Sequence, residues 1–341
     1  MSLSPTTTTP ATPSMAPAPR ATGDWLLHTA RLVQWNLFQV WRRLLTKVLL
    51  SILLGVFLLY IAGLILIVAI VQGQGPDAAT ATEFLRPLIT FPQSIATGTG
   101  YISFMGVVMV SILVGALVGG EYANSTQRLA LSRGVGRGQA LTAQVAAAAA
   151  LALIAVGGIM LLGLLIGISA GPALGGTPDT LSFSGAGQLL TFWATISLRL
   201  FDYSLIALFL ATLGRSAIAG IGGALGFMFV ESILAPGLTV AIGVQRLADT
   251  LGGQRPDAPL GNVTRTLTII LNSLLKTNAD ALGQAAQLGP LNITPSTDTS
   301  RLQNLLVAPP PAWQALLVML IYAIVLVGLS HWLVHARDVT D

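Results

Sequence analysis

The chain contains no cysteine among its 341 residues, so disulfides, thiolate metal sites and cysteine nucleophiles are excluded. It has three histidines, His28, His331 and His335, all near the chain ends, which argues against a histidine-based metal site. Its two lysines are Lys47 and Lys276, and neither follows a glycine, so no Gly-x-x-x-x-Gly-Lys-Ser/Thr phosphate loop is present. ATP binding through such a loop is therefore not expected in this chain. No His-Glu-x-x-His, paired-carboxylate or Gly-x-Ser-x-Gly pattern appears either, and the expectation is a non-enzymatic protein with no cofactor of its own.

Charge is scarce. Charged residues make up 9% of the chain against 53% hydrophobic ones, whereas soluble domains carry about 25% charged residues. The sequence is that of an integral membrane protein. The excess of basic over acidic groups is four, and its placement along the chain reads as membrane topology, not nucleic-acid binding. Residues 1–23, rich in Thr, Pro and Ala, lack an apolar core segment and read as a disordered cytosolic tail instead of a signal peptide.

A spanning helix needs about 20 apolar residues. Six stretches qualify: roughly 47–71, 98–119, 140–169, 188–213, 216–235 and 313–334. Gly214-Arg215-Ser216 separates the fourth and fifth, which predicts a tight helical hairpin. Arg31, Arg42, Arg43, Lys47, Arg128, Arg133, Arg137, Arg215 and Arg337 collect on one side of these spans, while the short loops 72–97 and 170–187 contain only Arg86. By the positive-inside rule both termini are expected in the cytosol, in a multi-pass protein of the inner (plasma) membrane. Residues 24–46 place Asp24, His28, Arg31, Trp35, Gln39, Arg42 and Thr46 on one narrow helical face, with apolar residues over most of the rest. That pattern predicts a helix lying in the cytosolic interface, the alternative being the start of the first span. The extracytosolic segment 236–312 shows helical spacing in Leu238–Leu251 and Leu260–Leu275 and ends in Ala308-Pro309-Pro310-Pro311, so two or three short helices are expected there.

Three ionisable residues fall inside spans. Arg199 and Asp202 are three apart on the fourth, so an internal pair is expected. A lone arginine at mid-depth costs about 2.5–3.5 kcal/mol on insertion scales. Glu231 on the fifth span is expected to approach the same face. This intramembrane polar patch is either part of a substrate pathway or a structural lock on the hairpin. Gly115 and Gly119 on the second span, with Gly222, Gly223 and Gly226 on the fifth, permit close helix approach, either within one subunit or between subunits.

Between the second and third spans lies a polar, basic stretch from Gly119 to Arg137. Ser125 to Leu131 suit a short helix, and Gly134, Gly136 and Gly138 then break it. Glu121 is placed to pair with Arg128 or to cap a helix start. By charge alone the stretch is a topology anchor or a handle for a soluble partner. Its wording adds a resemblance. Glu121-Tyr122-Ala123-Asn124-Ser125-Thr126, followed by Leu129, Leu131, Ser132, Arg133, Val135 and Arg137, resembles the second-span exit of ABC-2 type permeases, the membrane subunits of ABC exporters. Gly134 stands where that family usually has proline. His335-Ala336-Arg337-Asp338-Val339 also resembles the family's terminal signature, with Ala336 in place of an arginine.

The resemblance covers 24–341 and implies an all-α, six-helix type V-like transmembrane domain (47–341) preceded by an interfacial connecting helix (24–46). It implies a permease working as a homo- or heterodimer with two copies of a cytosolic ABC ATPase, which would bind ATP and magnesium. Glu121, Tyr122, Ser125, Thr126, Arg128, Arg133 and Arg137 would couple the permease to that ATPase, and the outer helices would form an extracellular gate. The competing classes are an ion-coupled secondary transporter, which usually has more spans and inverted repeats, and a membrane scaffold without transport.

Overall fold

The computed structural model describes residues 22–72, 83, 85–124, 132, 135–175, 182–251, 262–287, 289–291 and 307–336. Among these there is no strand, and nearly all are helical. The helices are α1 (Thr22–Arg42), α2 (Leu44–Gln72), α3 (Gln93–Ala123), α4 (Arg137–Ala173), α5 (Phe183–Gly214), α6 (Ala217–Leu251), α7 (Asn262–Ser273), α8 (Leu275–Gln287) and α9 (Ala312–Ala336), with a short 3-10 turn at Arg86–Ile89. Six of them, α2 to α6 and α9, are long and apolar enough to cross a membrane. The chain is a multi-pass, all-helical membrane protein.

Burial sorts these spans into centre and periphery. Two-thirds of the apolar windows of α3 and α5 are buried, against about a fifth in α2 and α9. Helices α3 and α5 therefore form the centre, with α4 and α6 packed against both. Small residues set the closeness of these contacts. Gly163, Gly167 and Gly171 on α4 sit against the backbone of Thr90 to Ile95, and Gly115 and Gly119 on α3 sit against the start of α6. The glycine pair of the second span thus packs within the subunit. Gly222 and Gly226 on α6 have nothing within 4 Å of a would-be Cβ.

The α5–α6 hairpin forms at the expected place. Arg215 takes a left-handed conformation (φ 49°) directly after α5, which stops the helix. The Ser216 hydroxyl then accepts a hydrogen bond from Ala219 N at 3.1 Å and starts α6.

Most spans run a few residues beyond the sequence reading, α3 and α5 starting at Gln93 and Phe183 instead of 98 and 188, and two further differences have a clear physical cause. The entry helix ends at Arg42 and α2 begins at Leu44, not near residue 47. The break is held by tertiary contacts: Arg43 Nη1 donates to Ala116 O at 2.8 Å, and the Thr46 hydroxyl bonds Val40 O. The fifth span does not stop at 235; α6 continues through Pro236 to Leu251. Proline removes one helical hydrogen bond, but beyond it Ile242 is fully buried in a cluster with Ala235, Leu271 and Val307. That packing keeps the outer half of α6 helical.

Helix α1 turns Thr29, Asn36 and Val40 inward, while Leu26, Leu27, Trp35, Phe38 and Trp41 are exposed. Its contacts are mainly with α4, where Gln139 Nε2 donates to the Thr29 hydroxyl at 3.4 Å. The apolar side of this helix therefore has no protein cover among the described residues, as an amphipathic helix at a lipid surface requires.

Candidate functional site

A cavity of about 480 Å³ opens between α3, α5, α6 and α8. Its position follows from α8, a helix of the 236–312 segment that packs against α5 and α9 and contacts α6. Leu275, Ala279, Leu282 and Ala286 recur at helical spacing along α8 and are buried, turning its small apolar stripe into the bundle. Lys276, Asp280 and Gly283 are brought to the cavity wall.

The ionisable groups lie at this junction. Arg199 Nη1 is hydrogen-bonded and ion-paired to Asp280 Oδ1. Lys276 Nζ holds the other oxygen, Asp280 Oδ2, at 2.7 Å. Glu231, on α6 and 2% exposed, accepts from the Tyr203 hydroxyl at 2.7 Å through Oε2. Its Oε1 accepts from Leu275 N at 2.7 Å and from Lys276 N at 3.4 Å. Those two amides open α8, so the Glu231 carboxylate caps that helix from a neighbouring one, where the helix dipole favours a negative charge.

This geometry corrects the expected Arg199–Asp202 pair. Asp280 partners Arg199, and both carboxylate oxygens of the fully buried Asp202 have no hydrogen-bond partner among the described residues. The i,i+3 spacing permitted contact within α5, but a second carboxylate on a facing helix gives Arg199 better geometry and is shared with Lys276. Glu231 does reach the same junction, through Tyr203 and the start of α8, without an ion pair to Arg199. Asp280 was missed because it lies 81 residues from Arg199, in a segment that reads as outer loop. The signal was the apolar spacing of 275–286 together with the Lys276–Asp280 pair at i,i+4.

Asp280 lies outside the six spans. Burial alone would raise its pKa, but the charges of Arg199 and then Lys276 outweigh that and hold the carboxyl below its ordinary range. A carboxyl lowered by folding contributes stability above its unfolded pKa and loses it as pH falls through the folded value. Acidification below about pH 4 is therefore expected to loosen α8 from α5. Pulsed hydrogen exchange across 275–287 measures this. Protection in α8 that is unchanged, relative to the rest of the bundle, between pH 6 and about pH 3 would refute it.

The second group of candidate residues lies at the end of the bundle where α3 stops and α4 begins. Glu121 and Tyr122 occupy the last turn of α3, and Arg137 opens α4. Glu121 accepts a hydrogen bond from Gln144 Nε2 at 2.6 Å. It therefore ties α3 to α4 and does not cap a helix start. Its expected partner Arg128 lies outside the described residues, as do Ser125, Thr126 and Arg133. His335, which begins the terminal motif, meets His331 edge to face with ring centroids 4.1 Å apart, and both rings lie close to Gly138. The described parts of the two motifs thus meet at the first turn of α4. Arg337, Asp338 and Val339 lie outside the described residues.

Among the described residues, no group of three or more His, Asp or Glu side chains is placed to hold a metal ion. No protein-family model matches this sequence, and no curated protein matches it.

Proposed function

We propose that the chain is the membrane-spanning permease subunit of an ATP-driven exporter of the ABC-2 type. It works as a dimer and is driven by a separate cytosolic ATPase through residues 121–137. The observation that carries this reading is the position of the motif. It bridges the end of one span at Ala123 and the start of the next at Arg137, and α1 and the start of the terminal motif pack on that same first stretch of α4. A force applied there reaches three elements at once. The helices α7 and α8, packed on α6 and in the case of α8 also on α5 and α9, are the elements that would serve as an extracellular gate. Coupling requires that the ATPase bind the 121–137 segment differently in two states.

Ion-coupled transport is the second reading, favoured by Asp202, a buried carboxyl without a partner among the described residues. Co-expression with a candidate ABC ATPase subunit from the same source separates the two. An exporter subunit retains that ATPase at equal ratio through purification, and loss of the ATPase at every step would defeat the first reading. Replacing Glu121 with Gln and Arg128 and Arg133 with Ala together is expected to lower permease-stimulated ATP hydrolysis about tenfold, within the usual range of coupling energies. Folded yield should stay unchanged. Full stimulation by that triple variant would remove the coupling role.

A further inference from the structure

We infer that the cavity between α3, α5, α6 and α8 is a binding site for an anionic amphiphile: a carboxylate or phosphate headgroup on a single apolar chain. Calling this ligand the cargo rests on the permease reading; its binding does not. The volume, about 480 Å³, is that of a small-molecule site. The rim residues Tyr60 and Phe104 are 45% and 49% exposed, so the cavity opens sideways through the flank of α2 and α3. Both residues lie on helices long and apolar enough to cross a membrane, so an acyl chain suits that opening. Phe192, Ile196 and Met228 supply an apolar wall for the chain.

The headgroup assignment comes from the donors left over at the inner wall. A guanidinium carries five N–H donors. Arg199, which lines the cavity, gives one from Nη1 to Asp280; its Nε is closed off from the cavity, so the donors left for a ligand are those of the Nη groups. Unused guanidinium donors near the middle of a spanning helix suit an oxygen of a carboxylate or phosphate. A cationic headgroup meets the opposite situation. Asp280 lines the cavity, but both its oxygens are already engaged, by Arg199 and Lys276. Glu231 lies behind the wall and is taken up by Tyr203 and the start of α8. The lining therefore offers two cations against one anion.

The test uses the full chain in nanodiscs of zwitterionic lipid. The probe is the fluorescent fatty acid 11-(dansylamino)undecanoate, compared with its primary amide and with empty discs. The expected result is saturable binding of the acid, at least about tenfold tighter than the amide, as a charge-assisted hydrogen bond implies. Arg199→Gln should abolish the preference for the acid. Gly283→Leu provides a second variant that leaves the ion pairs intact. A Cβ at Gly283 meets only Ile196 Cδ1, at an ordinary 3.7 Å, so the larger side chain fills the cavity and should weaken acid and amide alike. Equal affinity for acid and amide, or an unchanged preference in Arg199→Gln, overturns the proposal. Displacement of the probe by millimolar propionate overturns the amphiphile in favour of a plain anion site. Because no ATPase enters this assay, its failure leaves the permease reading standing, and failure to retain an ATPase leaves the binding site standing.

Discussion

Glu231→Ala is expected to detach α8 from the bundle and to lower the thermal midpoint of the detergent-solubilised protein more than truncation of any side chain that lines the cavity. The carboxylate receives the Tyr203 hydroxyl and the first two amides of α8, joining α5, α6 and α8 at one point. Alanine leaves those donors buried and unpaired, and each orphaned donor costs about 1–3 kcal/mol. The two short bonds alone place the loss at about 2–6 kcal/mol. Glu231→Gln keeps an acceptor oxygen for Leu275 and should fall between the two. A double-mutant cycle with Tyr203→Phe isolates the cause. If the carboxylate acts through the hydroxyl, the two losses are less than additive, since the second change removes a donor the first has already orphaned. A thermal midpoint unchanged by Glu231→Ala would show that α8 is held by its apolar stripe alone.

Gly119→Ala is expected to be comparably damaging with a much smaller change in chemistry. A Cβ at this position would overlap the backbone of Ser216 and Ala217, at the turn into α6. Backbone cannot swing aside as a side chain can, so α3 and the α5–α6 hairpin must separate. Overpacking typically costs about 1–3 kcal/mol, and a clash between two main chains belongs at or beyond the upper end. Gly222→Ala is the matched control. It meets nothing within 4 Å and replaces glycine inside a helix, so it should be neutral or stabilising by up to about 1 kcal/mol. Folded yield and thermal midpoint of the two variants, measured side by side, decide the matter. Equal behaviour would mean that the α3–α6 contact is looser than described here.

What was legible in the sequence was whatever depends on neighbours along the chain. Mean hydropathy over 20 residues locates every span, because solvation by lipid acts on the whole segment. The Gly214-Arg215-Ser216 hairpin was legible because a helix stop and an N-cap are local chemistry. The rest depended on contacts between distant parts. Pro236 reads as a boundary, yet Ile242, Leu271 and Val307 bury the continuation of α6 and override it. Arg199 reads as the partner of Asp202 by helical spacing, yet Asp280 arrives from the outer segment and displaces that choice. Gly115 and Gly119 signalled a close contact without saying with what; the answer is the start of α6. Glu121 was legible as the polar end of a span, but Gln144, which holds it across to α4, was not.

The ion pair between α5 and α8 also has a history in time. Arg199 leaves the ribosome 81 residues ahead of Asp280. At synthesis rates of about 5–20 residues per second, that interval lasts roughly 4–16 seconds. Throughout it the nascent fourth span carries a cation whose native partner has not yet been made, and Asp202, three residues further along the same helix, is the nearest counter-charge. The exchange of that local counter-charge for Asp280, when α8 folds back onto α5, is therefore a late event in the birth of this protein.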